Sequence, residues 1–342
     1  MKVTKKLYIL FFFLSGLLLF LMLLNISLGS IKIPFNEVIN CLMGNEASKT
    51  SWEYIILNFR LPKAFTAVLV GIALSISGLL MQTLFRNPLA GPYVLGLSSG
   101  ASLGVAIVLL GAGIVPTALS QIFTSSYGLV FASGIGSALV LFAVLFVSQR
   151  LKDTMSILIV GLMFGSLTSA IVSVLSYFTT AEQLQKYTFW QMGSLGNLSW
   201  HNVTFLTIIT IIGLGLSFLV IKPLDALLLG ERYANSLGIN FKRTRYIILI
   251  ATSLLAGSIT AFVGPIAFIG LAVPHMAKLI FQTSNHFILF WSTALIGAIT
   301  LLLCDIVAQL PGSDVTLPIN AITSIIGAPV VIWLLVRKRK IG

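Results

Sequence analysis

Apolar residues along this chain gather into long runs, broken by short polar stretches, with little strict alternation. A membrane span takes about 20 mostly apolar residues. Runs that satisfy this lie near 7–28, 62–82, 93–111, 127–148, 154–178, 200–221, 246–263, 265–280, 287–306 and 318–336. The stretch from Tyr246 to Ala277 carries no charge except a potential one on His275. As one helix it would extend about 48 Å, too long for a single crossing and short for two. Gly264-Pro265 interrupts it. Proline removes a helical hydrogen bond and disfavours helix in the residue before it, so the stretch is read as one full span and one short span. The expectation is an all-α polytopic membrane protein of about ten helices, with residues 1–342 forming one transmembrane domain.

Composition agrees. The 342 residues are 57% hydrophobic and 9% charged, where a soluble domain carries roughly 25% charged residues. The first run, Leu7–Leu24 after Lys2, Lys5 and Lys6, exceeds a signal-peptide core, and no Ala-x-Ala site follows. It reads as the first span.

The net charge of +12 could suggest nucleic acid, but the basic residues flank apolar runs and form no aromatic-interleaved patch. In a ten-span topology, Lys32, Lys49, Arg60, Lys63 and Lys186 fall on one side, and the other 16 of the 21 basic residues fall on the side of the N-terminus. Positive charge stays inside, so both termini are expected in the cytoplasm. A nine-span topology would place the tail Arg337-Lys338-Arg339-Lys340 outside. Cys41 and Cys304 match no metal-ligand spacing and read as small apolar residues.

Small residues cluster in several spans: Gly96 to Gly104 holds two overlapping Gly-x-x-x-Gly patterns, Gly161 and Gly165 make another, and Ser133 to Ser137 is nearly all small. Such residues let helix backbones approach closely in lipid. Embedded charge is scarce, with Asp305 at a membrane edge the main exception. A self-powered ion-coupled carrier usually shows ionisable residues inside the bilayer. The chain also lacks a Gly-x-x-x-x-Gly-Lys-Ser/Thr phosphate loop, so any ATPase must be another chain. Gly96-Leu97-Ser98-Ser99-Gly100 fits Gly-x-Ser-x-Gly, and His275 could in principle serve as its base. That elbow, however, requires a strand before the serine, and here an apolar helix is expected.

The longest cytoplasmic loop, Lys222 to Asn240, reads as two short helices joined at Gly230. Asp225 is expected to cap the first and Gly238 to end the second. Leu224, Leu227 and Leu228 give the first an apolar face, which suits a partner protein or a lipid surface.

The residues then resemble a family. Arg60-Leu61-Pro62-Lys63, Arg86-Asn87-Pro88-Leu89-Ala90-Gly91-Pro92, Leu95 to Ala101, Leu229-Gly230-Glu231 to Leu237-Gly238, Gly264-Pro265-Ile266-Ala267-Phe268 to His275, Leu317-Pro318-Ile319 and Gly327-Ala328-Pro329 are similar to motifs of the iron-siderophore, cobalamin and haem permeases of ABC importers. The likeness covers nearly the whole chain. It implies a cobalamin-permease-like fold, a homodimer with the pathway at its interface, two ATP-binding subunits on the cytoplasmic loop, and an extracytoplasmic solute-binding protein. It implies no cofactor in this chain, ATP use by the partner subunit, and a bacterial cytoplasmic membrane location. By the same resemblance Asn87, Leu89, Thr154 and Met155 close the cytoplasmic mouth. Leu228, Leu229, Gly230, Glu231, Ala234, Leu237 and Gly238 meet the ATPase, and Arg60 and Lys63 seat the binding protein. The chain departs from the family pattern where Arg232 follows Glu231, where Gly91 follows Ala90, and at Gln309, where some members carry an arginine. The expected cargo is an iron(III)-siderophore or related metal chelate, with cobalamin and haem as alternatives.

Overall fold

A computed structural model describes residues 2–111, 123–151, 154–196, 198–230, 234, 236–310 and 315–338. In lipid every backbone polar group must be satisfied within the protein, and an uncharged apolar run does so as a helix. The spans accordingly appear as α1 (Lys2–Ser27), α4 (Leu61–Leu84), α5 (Leu97–Leu110), α6 (Ser126–Ser148), α7 (Thr154–Phe178), α9 (Trp200–Leu219), α11 (Phe241–Val263), α12 (Ile269–Phe281), α13 (His286–Ala308) and α14 (Ile319–Lys338). Seven helical stretches are long and apolar enough to cross a membrane, and α5, α12 and Ile319–Trp333 of α14 are shorter apolar helices. Between them lie α2 (Phe35–Leu42), α3 (Thr50–Ile55), α8 (Ala181–Met192) and α10 (Ile221–Leu228).

Two boundaries differ from the sequence reading. Helix is unbroken from Thr50 to Leu84, through Pro62, where a loop was expected up to residue 61. A π segment, Ile56–Arg60, precedes the proline and shifts the hydrogen-bond register. Helix α5 starts at Leu97, not at 93. Pro92–Leu95 forms a 3-10 turn, and Gly96 follows it with φ 77°, a left-handed conformation that glycine adopts without strain.

The chain forms two compact units. The first comprises Met1–Ile76, Ser194–Ile208 and Ala267–Gly342. Here α13 packs on α1, α12 and α14. Gly71 and Gly297 bring α4 and α13 into backbone contact, and the Ser75 hydroxyl donates to the carbonyls of Gly71 (2.6 Å) and Thr293 (3.1 Å). Ile26, Ile33, Val38, Cys41, Ile56 and Ala64 make a small core under the segment joining α1 to α4. In that segment the Ser48 amide and hydroxyl donate to Glu37, holding its carboxyl below the usual value.

The second unit comprises Ser77–Gly193 and Ile209–Ile266. Helix α5 is its centre, packed by α6, α7, α8 and α11. The small-residue motifs explain this packing. A side chain at Gly100 or Gly104 would run into the backbone of Gly136 or Ala132 on α6. One at Gly161 on α7 would run into Val94 and Leu95. The Ser137 hydroxyl also donates to the carbonyl of Leu97 at 3.0 Å. The helix is interrupted after α11 as expected: Gly264 has φ 85° and lies against the backbone of Trp190 and Gly193.

Candidate functional site

Asn87 and Leu89 share one turn. The Leu89 amide donates to Asn87 Oδ1 at 2.9 Å and the Ala90 amide donates to the Asn87 carbonyl at 3.0 Å. This Asx turn reverses the chain after α4, and Arg86 before it has φ 46°. Leu89 is left exposed. The turn is tied to α7 because the Pro92–Leu95 segment packs on that helix around Gly161. Thr154 begins α7, though its side chain lies outside the described residues, and Met155 follows half-exposed. A cavity of about 490 Å³ opens between α7 and the Pro92–Leu95 turn with the start of α5, lined by Tyr93, Gly96, Ser99, Gly161, Gly165 and Ser169.

Beyond the cavity one face of α7 is bare. Ile159, Leu162, Met163, Leu167 and Val174 are exposed, and only 17% of the span is buried. No ionisable residue lies between Thr154 and Ser176. The hydroxyls of Ser166 and Ser173 donate to carbonyls one turn back, Leu162 at 3.1 Å and Ser169 at 2.9 Å. The face is therefore neutral, with these hydroxyls satisfied by the helix itself.

The coupling loop. Helix α10 begins at Ile221, so Asp225 lies inside it and does not cap it; Val220 holds the cap position and Pro223 sits in the first turn, where a missing amide is harmless. Leu224 and Leu227 are buried, so the exposed apolar surface is narrower than expected: Leu228 (49%), Leu229 (66%) and Leu237 (58%). Gly230 has φ 114° and Gly238 φ 80°. The Ile239 amide reaches back to the Ala234 carbonyl at 3.1 Å, a helix-ending bond that needs the left-handed Gly238. Ala234 is fully buried, pinning the loop. Glu231 and Arg232 lie outside the described residues.

The end of α1, the start of α4 and the end of α13 hold a site that the sequence did not announce. Lys63 Nζ is 3.1 Å from Asp305 Oδ1, and the carboxylate is 3% exposed. Asp305 also accepts from Asn25 Nδ2 at 2.8 Å and Gln309 Nε2 at 2.7 Å. One carboxylate thus links α1, α4 and α13. Beside it, Arg60 donates to the carbonyls of Ile26 (2.8 Å), Ser27 (2.9 Å) and Ile31. The last carbonyls of a helix lack intrahelical donors and carry partial negative charge, so this guanidinium caps α1. Both cations expected to face a binding protein have partners inside the chain. Gln309, where some family members carry an arginine, is a donor to Asp305.

The serine motif is not an elbow. Ser98 and Ser99 lie in the first turn of α5, after a 3-10 turn, and no strand occurs among the described residues.

Comparison with known proteins identifies the family of the chain. A model of the FecCD transport family matches residues 17–337. The vitamin B12 import system permease protein BtuC of Klebsiella pneumoniae is 36% identical over 332 residues, covering 97% of this chain and 94% of that one. The hemin transport system permease protein HmuU of Yersinia pestis is 33% identical over 330 residues, covering 96% and 95%. Among solved structures, a metal-chelate type ABC transporter in an inward-facing conformation superposes with a TM-score of 0.83 at 29% identity, covering 96% of this chain and 99% of that one.

Proposed function

This chain belongs to the FecCD transport family of ABC importer permeases, and from that premise we propose that it forms the translocation pathway for an iron(III)-siderophore or a closely related metal chelate. The observation that carries the pathway reading is the bare, neutral, membrane-length face of α7. An uncovered apolar face can meet lipid or protein, and we read that of α7, which adjoins the small-residue cavity at Gly161 and Gly165, as the face that a second copy of the chain covers. A wide passage between two such faces, apolar and free of charge, would let a bulky complex slide without a tight site. The relatives named for vitamin B12 and hemin, and the chelate-type structural neighbour, support large metal-bearing organic complexes as the cargo class.

In this reading Asn87 and Leu89, with Thr154 and Met155, close the inner mouth. Leu228, Leu229 and Leu237, held around Gly230, Glu231, Ala234 and Gly238, receive one ATP-binding subunit on each permease copy. An extracytoplasmic solute-binding protein delivers the cargo, and both termini lie in the cytoplasm. Arg60 and Lys63 act on that docking surface by fixing the outer ends of α1, α4 and α13, since their charges are already paired. The test is competition. Membranes carrying the assembled transporter are offered labelled ferric siderophore with excess cobalamin or haemin. Uptake that resists both competitors and falls with unlabelled ferric siderophore supports the chelate assignment. Uptake of cobalamin or haemin in its place reassigns the cargo while leaving the permease role intact.

A further inference from the structure

A second site, away from the proposed pathway face, lies within the second unit between α6, α9 and α11. There a cleft of about 400 Å³ is lined by Gly134 and Leu141 of α6, Ile209 of α9, and Ile250, Ser253 and Gly257 of α11, together with further small and apolar side chains. That volume falls in the range of small-molecule sites. Its neighbours on α6 and α9, Leu139 (63% exposed), Phe142 (67%) and Ile212 (52%), are large apolar residues facing outward, so the cleft opens toward lipid and not toward water. Two features distinguish it from a simple dent. Ser253 is 9% exposed, and its hydroxyl has no hydrogen-bond partner in the chain although it lines the cleft. A serine in a helix ordinarily bonds a carbonyl one turn back, as Ser258 does with Leu254 at 2.6 Å. The other feature is charge. Helices α6 and α11 pack together, and at the end of α6 and the start of α11 stand Arg150, Lys242 and Arg243, all exposed. Arg243 precedes Ser253 by ten residues, about 15 Å along the helix. A glycerol–phosphate link and an extended arginine side chain together cover that distance.

We propose that this cleft binds one anionic phospholipid, with an acyl chain in the cleft, an ester oxygen accepting from Ser253, and the phosphate held by Arg243 and Arg150. The tail gains little over bulk lipid, because lipid tails are as apolar as the cleft. Selectivity therefore rests on the basic rim, as in other basic pockets between transmembrane helices. The tendency of basic residues to gather at the inner membrane edge would place arginines here without any lipid, so the rim alone decides nothing. The cleft and the orphan hydroxyl beside it make the difference.

The glycines supply the test. Gly134 lines the cleft and a Cβ there meets nothing within 4 Å, so Gly134→Leu starts its side chain in open space and is expected to occupy the cleft. Gly215 on α9 is equally open but lies outside the cleft, so Gly215→Leu is the control. The full-length protein is exchanged into equal amounts of phosphatidylglycerol and phosphatidylcholine, and retained lipid is counted by native mass spectrometry. Wild type and Gly215→Leu should keep one phosphatidylglycerol per chain with a preference of about tenfold over phosphatidylcholine. Gly134→Leu should lose the retained lipid. Arg150→Gln with Arg243→Gln should keep a lipid but lose the preference. In wild type, a phosphatidylglycerol bearing a photoreactive acyl chain should attach to peptides of α6 and α11. Undiminished retention in Gly134→Leu, an unchanged preference in the arginine variant, or attachment confined to other helices would each overturn the proposal.

Discussion

Replacing Lys63 by methionine removes the ammonium and keeps the stem. Asp305 is then a carboxylate at 3% exposure with two neutral donors, Asn25 and Gln309, and no opposing charge. Removing one partner of a buried pair costs about 3–5 kcal/mol, because the other charge is stranded. Two features place this case near the lower end: the two amide bonds persist, and the Lys63 side chain is 20% exposed and so partly hydrated before the change. The expected loss is about 3 kcal/mol. Neutralising both groups should recover most of it, since replacing a whole buried pair is often nearly neutral. The double variant Lys63→Met with Asp305→Asn keeps an acceptor for Asn25 or Gln309 and should lie within about 1 kcal/mol of wild type. The measurement is a double-mutant cycle on unfolding in mixed micelles titrated with a denaturing detergent. The coupling between the two positions should be at least about 2 kcal/mol, which is within the range for contacting residues. A Lys63→Met protein as stable as wild type, but slow to associate with its binding protein, would refute the buried-lock reasoning and restore Lys63 as a docking cation.

The remaining predictions concern other links in the chain. Gly230→Val should abolish transport and ATPase co-purification while the protein still inserts, because φ 114° is closed to a β-branched residue; normal transport in that variant would remove the loop from coupling. Gly100→Val forces a side chain into the backbone of Gly136 and should lower stability by about 3 kcal/mol or more, read as loss of detergent-resistant folded protein; a tolerant protein would mean α5 and α6 do not touch there. Reporter fusions after Lys186 and after Lys340 should report opposite sides of the membrane, and matching signals would contradict the ten-span topology.

The spans were legible because lipid leaves a chain few options: an uncharged apolar run must be a helix, and Gly264-Pro265 marked the one place where a run holds two. The gaps lie where hydropathy is silent. The 3-10 turn at Pro92–Leu95 and the helix carried through Pro62 are backbone events inside apolar sequence, with no change of composition to mark them. Helices α2, α3 and α8 lie in stretches that read only as loops. The glycines marked the bends of the Lys222–Asn240 segment, yet α10 begins four residues before Asp225, because Leu224 and Leu227 are drawn into the core and take the preceding turn with them. The Lys63–Asp305 pair joins positions 242 residues apart, and a single sequence carries no sign of such a contact. Each residue was conspicuous alone, one as a cation at a membrane edge and the other as the one embedded acid. Family likeness drew Arg60 and Lys63 toward a partner, whereas their geometry satisfies them at home.

The central claim is that this chain is a passive pathway opened by another protein's ATP hydrolysis, and reconstitution tests it most directly. Proteoliposomes containing the permease alone, or the permease with its ATP-binding subunit, are given ferric siderophore loaded on the binding protein. The account predicts accumulation only in the second preparation and only with ATP, ceasing when the ATP-binding subunit is made unable to hydrolyse. Accumulation by the permease alone under an ion gradient would contradict it.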